Sequence, residues 1–318
     1  MKKILILLVI ISSCVSIIFA GGKGTAGAAF LSIDNGARPT SMGGAFTSIA
    51  DDVNTINYNP AGLASIGNVE VMFVRNQWLE DIESSMFSGA YKIKPELGVG
   101  LVYKEMSYGQ MEEKDDRGNT LGKTFDGGTR LITLGAGYKL HKKDLYVGLN
   151  LKYISEKLYV EKASAYACDL GVLYKLNKEI KIGASLLNLG NKIKLYKEGF
   201  NIPRTYKIGG SYSFEKNKIV SLEFENNIEN NFKVRLGGEY FLYKMIFLRG
   251  GYIFESNEID SNLPVSLGLG FIYHDLYIDY AYLPKGDLGD THKVSVMMKF
   301  GKKHRKRTKR FRKKYKTT

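Results

Sequence analysis

Pro264 to Phe300 reads PVSLGLGFIYHDLYIDYAYLPKGDLGDTHKVSVMMKF: three strands joined by one tight turn and one longer loop. In the first strand Leu267, Leu269, Phe271 and Tyr273 share one parity, and Ser266, Gly268 and Gly270 share the other. In the last, Val294, Val296, Met298 and Phe300 alternate with Ser295, Met297 and Lys299. Side chains on a strand point to opposite faces with a period of two, so each segment has one apolar face and one face of small or polar residues. Roughly ten alternating residues closing on an aromatic is the pattern of a transmembrane barrel strand. A strand of a soluble sandwich alternates equally well, so the rest of the chain has to separate the two.

Working back from that stretch, fourteen strand candidates run Val69–Trp78, Ser85–Ile93, Leu97–Tyr108, Thr129–Lys139, Asp144–Glu156, Ala165–Lys175, Ile180–Leu189, Thr205–Phe214, Ile219–Ile228, Phe232–Phe241, Ile246–Phe254, Val265–Tyr273, Leu276–Leu283 and Lys293–Phe300. The even-numbered connections are short, such as Lys94-Pro95-Glu96 and His274-Asp275. Most odd-numbered ones are long: Gly109–Gly128, Lys157–Ser164, Gly190–Arg204, Glu255–Pro264 and Pro284–His292. Short periplasmic turns alternating with long outer loops are the outer-membrane barrel topology, and an even strand count returns both barrel ends to one side. A sandwich has no reason to keep that alternation. The composition is compatible: 44% hydrophobic residues, 21 Tyr, 16 Phe, 35 Gly and only 6 Pro suit long, curving antiparallel strands.

Met1 to Ala20 reads as a cleavable secretory signal peptide, with Lys2 and Lys3 ahead of the apolar run Ile4–Ile11 and a small-residue site at Ile18-Phe19-Ala20 before Gly21. Cys14, in Ile-Ser-Ser-Cys, leaves lipoprotein processing as the alternative. Cleavage after Ala20 leaves Cys168 as the one cysteine, so no internal disulfide is available. No later segment has the run of about 18 apolar residues that a spanning helix needs, so a membrane form must be a closed barrel. Gly21–Gly67 differs in character: Ala28–Ile33 reads as a short strand, Arg38–Ala50 as a small-residue helix or packed turn, and Asn57–Leu63 as a turn. The tail, 301–318, holds eleven Lys and Arg and no acid, leaving +3 of the formal +14 to the rest of the chain.

The charged positions inside the strands indicate which face is wet. Lys233, Arg235 and Glu239 oppose Val234, Leu236 and Tyr240; Arg249 shares a face with Gly251; Asp279 opposes Ile278 and Tyr280. A basic residue facing lipid at mid-depth costs about 2–4 kcal/mol, so Arg235, Glu239, Arg249 and Asp279 should face the lumen, as a structural ladder or as a substrate filter. No catalytic set and no cofactor site is expected. His141, His274, His292 and His304 have no metal-ligand spacing. Asp51-Asp52 could be paired carboxylates, but a turn-ending role is the simpler reading. Asp287 and Asp290, in the run Gly286 to His292, could meet Ca²⁺, although two carboxylates are too few and a Gly/Asp turn suffices.

The chain resembles a known family at its two ends. Asn35-Gly36-Ala37-Arg38, Met42-Gly43-Gly44-Ala45-Phe46, Ile49-Ala50-Asp51-Asp52 and Tyr58-Asn59-Pro60-Ala61-Gly62-Leu63 are similar to the N-terminal signature of PorV/PorQ proteins, within the FadL-like outer-membrane superfamily. The closing run, with Asp279-Tyr280-Ala281-Tyr282, Gly286, Asp287, Gly289, Asp290, Thr291 and His292, resembles that family too. The resemblance implies an all-β fold: a 14-stranded antiparallel transmembrane barrel (68–300) ending on Phe300, with a hatch (21–67) in the lumen. It implies no enzyme activity. PorV-type proteins serve type IX secretion and surface attachment, whereas FadL passively carries long-chain fatty acids. The basic tail departs from the family, whose barrels stop at the terminal aromatic.

The expectation is therefore an integral outer-membrane barrel of a Gram-negative-type envelope, acting in protein secretion or surface attachment, or alternatively in passive transport of fatty acids or other hydrophobic small molecules. Its partners would be outer-membrane lipids, secretion or attachment proteins, or such small molecules. Nucleic acid is not expected, and the basic tail is either a solvated, disordered periplasmic end or a segment that meets anionic lipid or an acidic periplasmic protein.

Overall fold

The computed structural model describes residues 27–301 except 79–81, 116, 141–143, 196–197, 216, 228–231, 256–263 and 285–289. The signal peptide, most of the tail, His141, Gly286, Asp287, Gly289 and His304 lie outside the described residues.

Fourteen strands close into one antiparallel barrel. They are β1 (Val69–Gln77), β2 (Glu83–Lys92), β3 (Leu97–Lys114), β4 (Thr120–Lys139), β5 (Leu145–Leu158), β6 (Glu161–Lys175), β7 (Ile180–Gly190), β10 (Thr205–Phe214), β11 (Lys218–Asn227), β12 (Phe232–Leu242), β13 (Ile246–Glu255), β14 (Val265–Tyr273), β15 (Leu276–Leu283) and β16 (Thr291–Phe300), with the small hairpin β8 (Ile193–Leu195) and β9 (Glu198–Phe200) set between β7 and β10. Each strand pairs with its neighbour in sequence, β7 with β10 across that hairpin. Closure is made by β1 on β16, in register from Val69 opposite Phe300 to Gln77 opposite His292. No sheet edge is left to lipid, where an unpaired amide costs several kcal/mol.

The alternation read from the sequence is the alternation of the wall. Leu267 and Leu269 are each 56% exposed, while Ser266 before them is fully buried and Gly268 between them is buried. At about 3.4 Å per residue and a tilt near 40°, the outward side chains of β14 cover roughly 20 Å, close to the apolar height of such barrels. Outward-facing Tyr91, Tyr138, Tyr174, Tyr212, Tyr240 and Tyr273 ring the end that carries the short turns, the amphipathic belt expected where lipid meets water.

Four local readings are corrected. Ala28–Ile33 is not a strand: Ala29–Ser32 forms a single 3₁₀ turn, entered through Ala28 at φ 54°. Gly109–Gly128 and Lys157–Ser164 are not long loops. β3 and β4 run for 18 and 20 residues and turn only at 115–119, and β5 turns into β6 at Tyr159 and Val160. The pairing of β3 with β4 continues past the barrel body because a register shift between Ser107 and Gln110 absorbs the change of twist. Gly190–Arg204 is likewise folded in part, as β8 and β9.

Candidate functional site: the lumenal segment and its charged frame

Residues 27–67 run through the lumen from one end to the other. At the long-loop end the Gly27 amide donates to the Asn201 carbonyl at 2.9 Å. At the short-turn end Gly67 leads into β1. Between them lie two single-turn helices, Ala37–Ser41 and Thr55–Tyr58, and the 3₁₀ stretch Pro60–Ser65. Such short helices do not hold themselves together; their stability comes from what they pack against.

Much of the packing is backbone on glycine. Gly98, Gly137, Gly148, Gly171 and Gly183 form an inward-facing track on β3 to β7, and a Cβ on any of them would overlap main-chain or side-chain atoms of Thr47 or of Asn59 to Ala64. Asn59 locks the segment in place. Its carbonyl-type Oδ1 accepts from the Ala61 amide at 3.2 Å, and its Nδ2 donates to the carbonyls of Thr47 and of Val172 on β6, each at 2.9 Å. Pro60 takes the first 3₁₀ position, where no amide donor is needed. Gly43 and Gly44 turn the chain at φ 64° and 77°, a region that L side chains resist, and Gly43 fits against the backbone of Leu236 and Tyr252. Gly62 sits against Thr55 and Ala50.

A charged frame joins this segment to the opposite wall, β10 to β16. The Arg38 guanidinium makes a two-pronged contact with Glu239, at 2.8 and 2.9 Å, and also donates to Asp51 at 2.7 Å and Asp52 at 2.6 Å. Glu239 is shared with Arg249 at 2.7 Å, and Arg249 donates on to Asp279 at 2.7 Å. Arg235 donates to Asp34 at 2.9 Å and to the Gly43 carbonyl at 2.7 Å, and pairs with Glu225 at 2.8 Å. The structure therefore brings the sequence-named charges Glu239, Arg249 and Asp279 together with Arg38, Asp51 and Asp52 in one network, and places Arg235 with Asp34 and Glu225 in a second. Burial pushes the Asp51 carboxyl up, but Arg38 and Lys181 pull it down harder and hold it well below the usual carboxylate range.

Asp51 and Asp52 end their turn as expected, with Asp52 accepting from the Asn54 amide at 2.9 Å, and they are in addition the partners of Arg38. The described residues of the closing loop, Asp290, Thr291 and His292, take no part in these ion pairs. Asp290 accepts from Tyr282 at 2.8 Å and His292 meets Tyr280 at 2.8 Å on the exposed side, while Thr291 is buried. Sequence reasoning missed Asp34, Lys207, Glu223, Glu225, Lys152 and Asp169, all of which join lumenal ion pairs. The signal was available for the strand residues: Lys207, Glu223 and Glu225 stand at inward parity, opposing Tyr206, Leu222 and Phe224.

At the long-loop end the segment meets an apolar cluster instead. Phe30 packs with Met106, Leu131, Ile154, Ile193 and Ile202, and Leu31, Ile33, Trp78 and Ile82 lean on it half-buried.

The closed 14-strand antiparallel barrel matches the fold of FadL-like outer-membrane barrels. The chain is similar to the Ralstonia pickettii toluene transporter TbuX (TM-score 0.56, 14% identity, 84% of this chain and 98% of that one). It is similar also to the CymD monoaromatic hydrocarbon channel (TM-score 0.59, 14% identity, 84% and 98%) and to a Pseudomonas aeruginosa FadL homologue (TM-score 0.53, 12% identity, 90% and 99%). In sequence, residues 11–153 match the model of a family described as "Uncharacterised protein family (UPF0164)". No curated protein matches the chain.

Proposed function

We propose that this barrel sits in the outer membrane of a Gram-negative-type envelope and admits hydrophobic small molecules passively, with residues 27–67 closing the straight path through it. The observation that carries the reading is the apolar cluster around Phe30, seated at the outer end of the lumenal segment and bordered by half-buried Leu31, Trp78 and Ile82. A wide polar bore would have spoken for passage of hydrophilic solutes; the lumen is instead filled by its own chain. The similar structures named for toluene and monoaromatic hydrocarbons support the same class of cargo.

The secretion or surface-attachment reading ranks second. What supports it is the group of exposed apolar residues on the tall hairpins above the barrel body: Leu121, Leu158, Tyr159 and Val160, the last 71% exposed. One experiment separates the two. In cells lacking this chain, uptake of radiolabelled fatty acid or toluene should fall while secreted and surface-attached proteins remain unchanged. Normal uptake with lost surface proteins would reverse the order.

A further inference from the structure

At the short-turn end the inward side chains of the wall divide into a basic arc and an apolar one. Lys92 ends β2, Lys139 ends β4, Lys175 ends β6 and Lys181 stands at the start of β7. Their ammonium groups turn into the mouth. Lys92 donates to the carbonyls of Ala64 and Ile66 at 3.0 and 3.2 Å, Lys175 to Ser65 Oγ at 3.2 Å and the Tyr146 hydroxyl at 3.0 Å, and Lys181 to the Ile49 carbonyl at 2.7 Å. Lys139 and Lys175 share the Tyr146 ring, at 5.4 and 4.3 Å from its centre. Further round, on β11 to β13, the same face carries Ile219, Phe241 and Phe247, all half-buried, and the two phenylalanine rings stack with centres 4.4 Å apart.

The basic arc is short of acids. Lys139 has Asp144 at 3.0 Å, but among the described residues neither Lys175 nor Lys181 forms an ion pair. Asp51, whose charge acts on Lys181, is bound by Arg38 at 2.7 Å. At the long-loop end, by contrast, Lys157 and Arg130 each hold a carboxylate at 3.0 Å. The surplus continues in the sequence: residues 302–318, which follow β16 at the short-turn end, hold eleven Lys and Arg and no acid.

Two points select the partner. Ammonium groups aimed into the mouth are turned away from the lipid heads, which surround the outer face of the wall. Neighbouring strands lie about 4.8 Å apart, so the arc from Lys139 on β4 to Lys181 on β7 spans roughly 15 Å, more than one carboxylate can serve. We propose that the short-turn mouth is a docking surface for an acidic segment of a periplasmic protein, whose carboxylates meet Lys175 and Lys181 and whose apolar side chains meet Phe241 and Phe247. Lys92, Lys139 and the tail widen the positive field that draws it in. The proposal needs this end of the barrel to face the periplasm; it does not need the transport reading.

The probe is fluorescein-labelled decaglutamate, followed by fluorescence anisotropy in a non-ionic detergent. It is titrated into the full chain and into the chain ending at Gly301, which keeps all the paired strands. The expected result is saturable binding to both, tighter in the full chain. Lys175→Gln/Lys181→Gln should weaken it by about tenfold or more, and Lys175→Arg/Lys181→Arg should retain it. Lys123→Gln/Lys162→Gln removes the same charge from exposed positions at the far end and should change nothing. In the wild type, which needs no substitution, decaglutamate should shield Lys175 and Lys181 from acetylation, read by mass spectrometry, and leave Lys123 and Lys162 reactive. Binding lost altogether with the tail, equal weakening by the far-end pair, or no shielding would overturn the proposal. Displacement by glycerol 3-phosphate more readily than by monomeric glutamate would give the lysines to lipid heads and overturn it too. Failed uptake of hydrophobic molecules would remove the transport reading and leave the docking surface standing.

Discussion

Arg38 is the residue on which the lumenal segment turns. It faces three carboxylates, two of its own segment and one of β12, so its removal takes the cation from buried Asp52 and leaves Glu239 to Arg249 alone. Breaking a buried pair by deleting one partner costs about 3–5 kcal/mol. Arg38→Ala is therefore expected to lower the thermal midpoint of the detergent-solubilised chain clearly, and Arg38→Lys to recover only part of it, since an ammonium cannot repeat the two-pronged contact with Glu239. A pH series tests the same contact. Because the folded Asp51 carboxyl is held below its ordinary range, its contribution is present above the ordinary value of about 3.9 and fades as the pH falls past it. The difference in thermal midpoint between the wild type and Asp51→Asn should be constant from pH 8 to about 5 and shrink below about pH 4. A difference that grows with acid would contradict the pairing.

At the scale of elements, the glycine track decides where the segment lies. Gly148 on β5 abuts the Pro60 carbonyl and the Ala61 amide, and these cannot move aside as a side-chain tip could. Gly148→Val should leave the barrel resistant to detergent and heat but expose residues 36–66 to protease; a variant as resistant as the wild type would show that this packing does not hold the segment. The strands were legible because alternation is a property of the pleat itself, plain in Val265–Tyr273 and Thr291–Phe300. Their heights were not. The upper parts of β3 and β4 set Met111, Leu121 and Phe125 among Glu112, Glu113, Lys114 and Lys123 without an apolar face of period two, so little in their sequence distinguishes strand from loop. The ion frame was legible in part. Arg235 and Glu239 declare themselves by parity inside strands, whereas Asp34 lies in an irregular segment that has no period to read.

At the scale of the molecule, two surfaces of opposite chemistry share one wall. The outer face is dominated by Leu, Val, Phe and Tyr, and the inner face carries Ser, Gly, paired charges and the apolar side chains that meet the lumenal segment. A water-filled lumen would keep those charges solvated; here a segment of the same chain replaces the water and has to satisfy them, which is why the frame is dense and the helices short. The most direct measurement is hydrogen exchange, followed by mass spectrometry, on the full chain in lipid nanodiscs. Peptides covering residues 36–66 should be protected for as long as those from β14 to β16. Exchange within seconds over 36–66 beside protected strands would contradict a lumen filled by its own chain, and with it the closed path on which the functional reading stands.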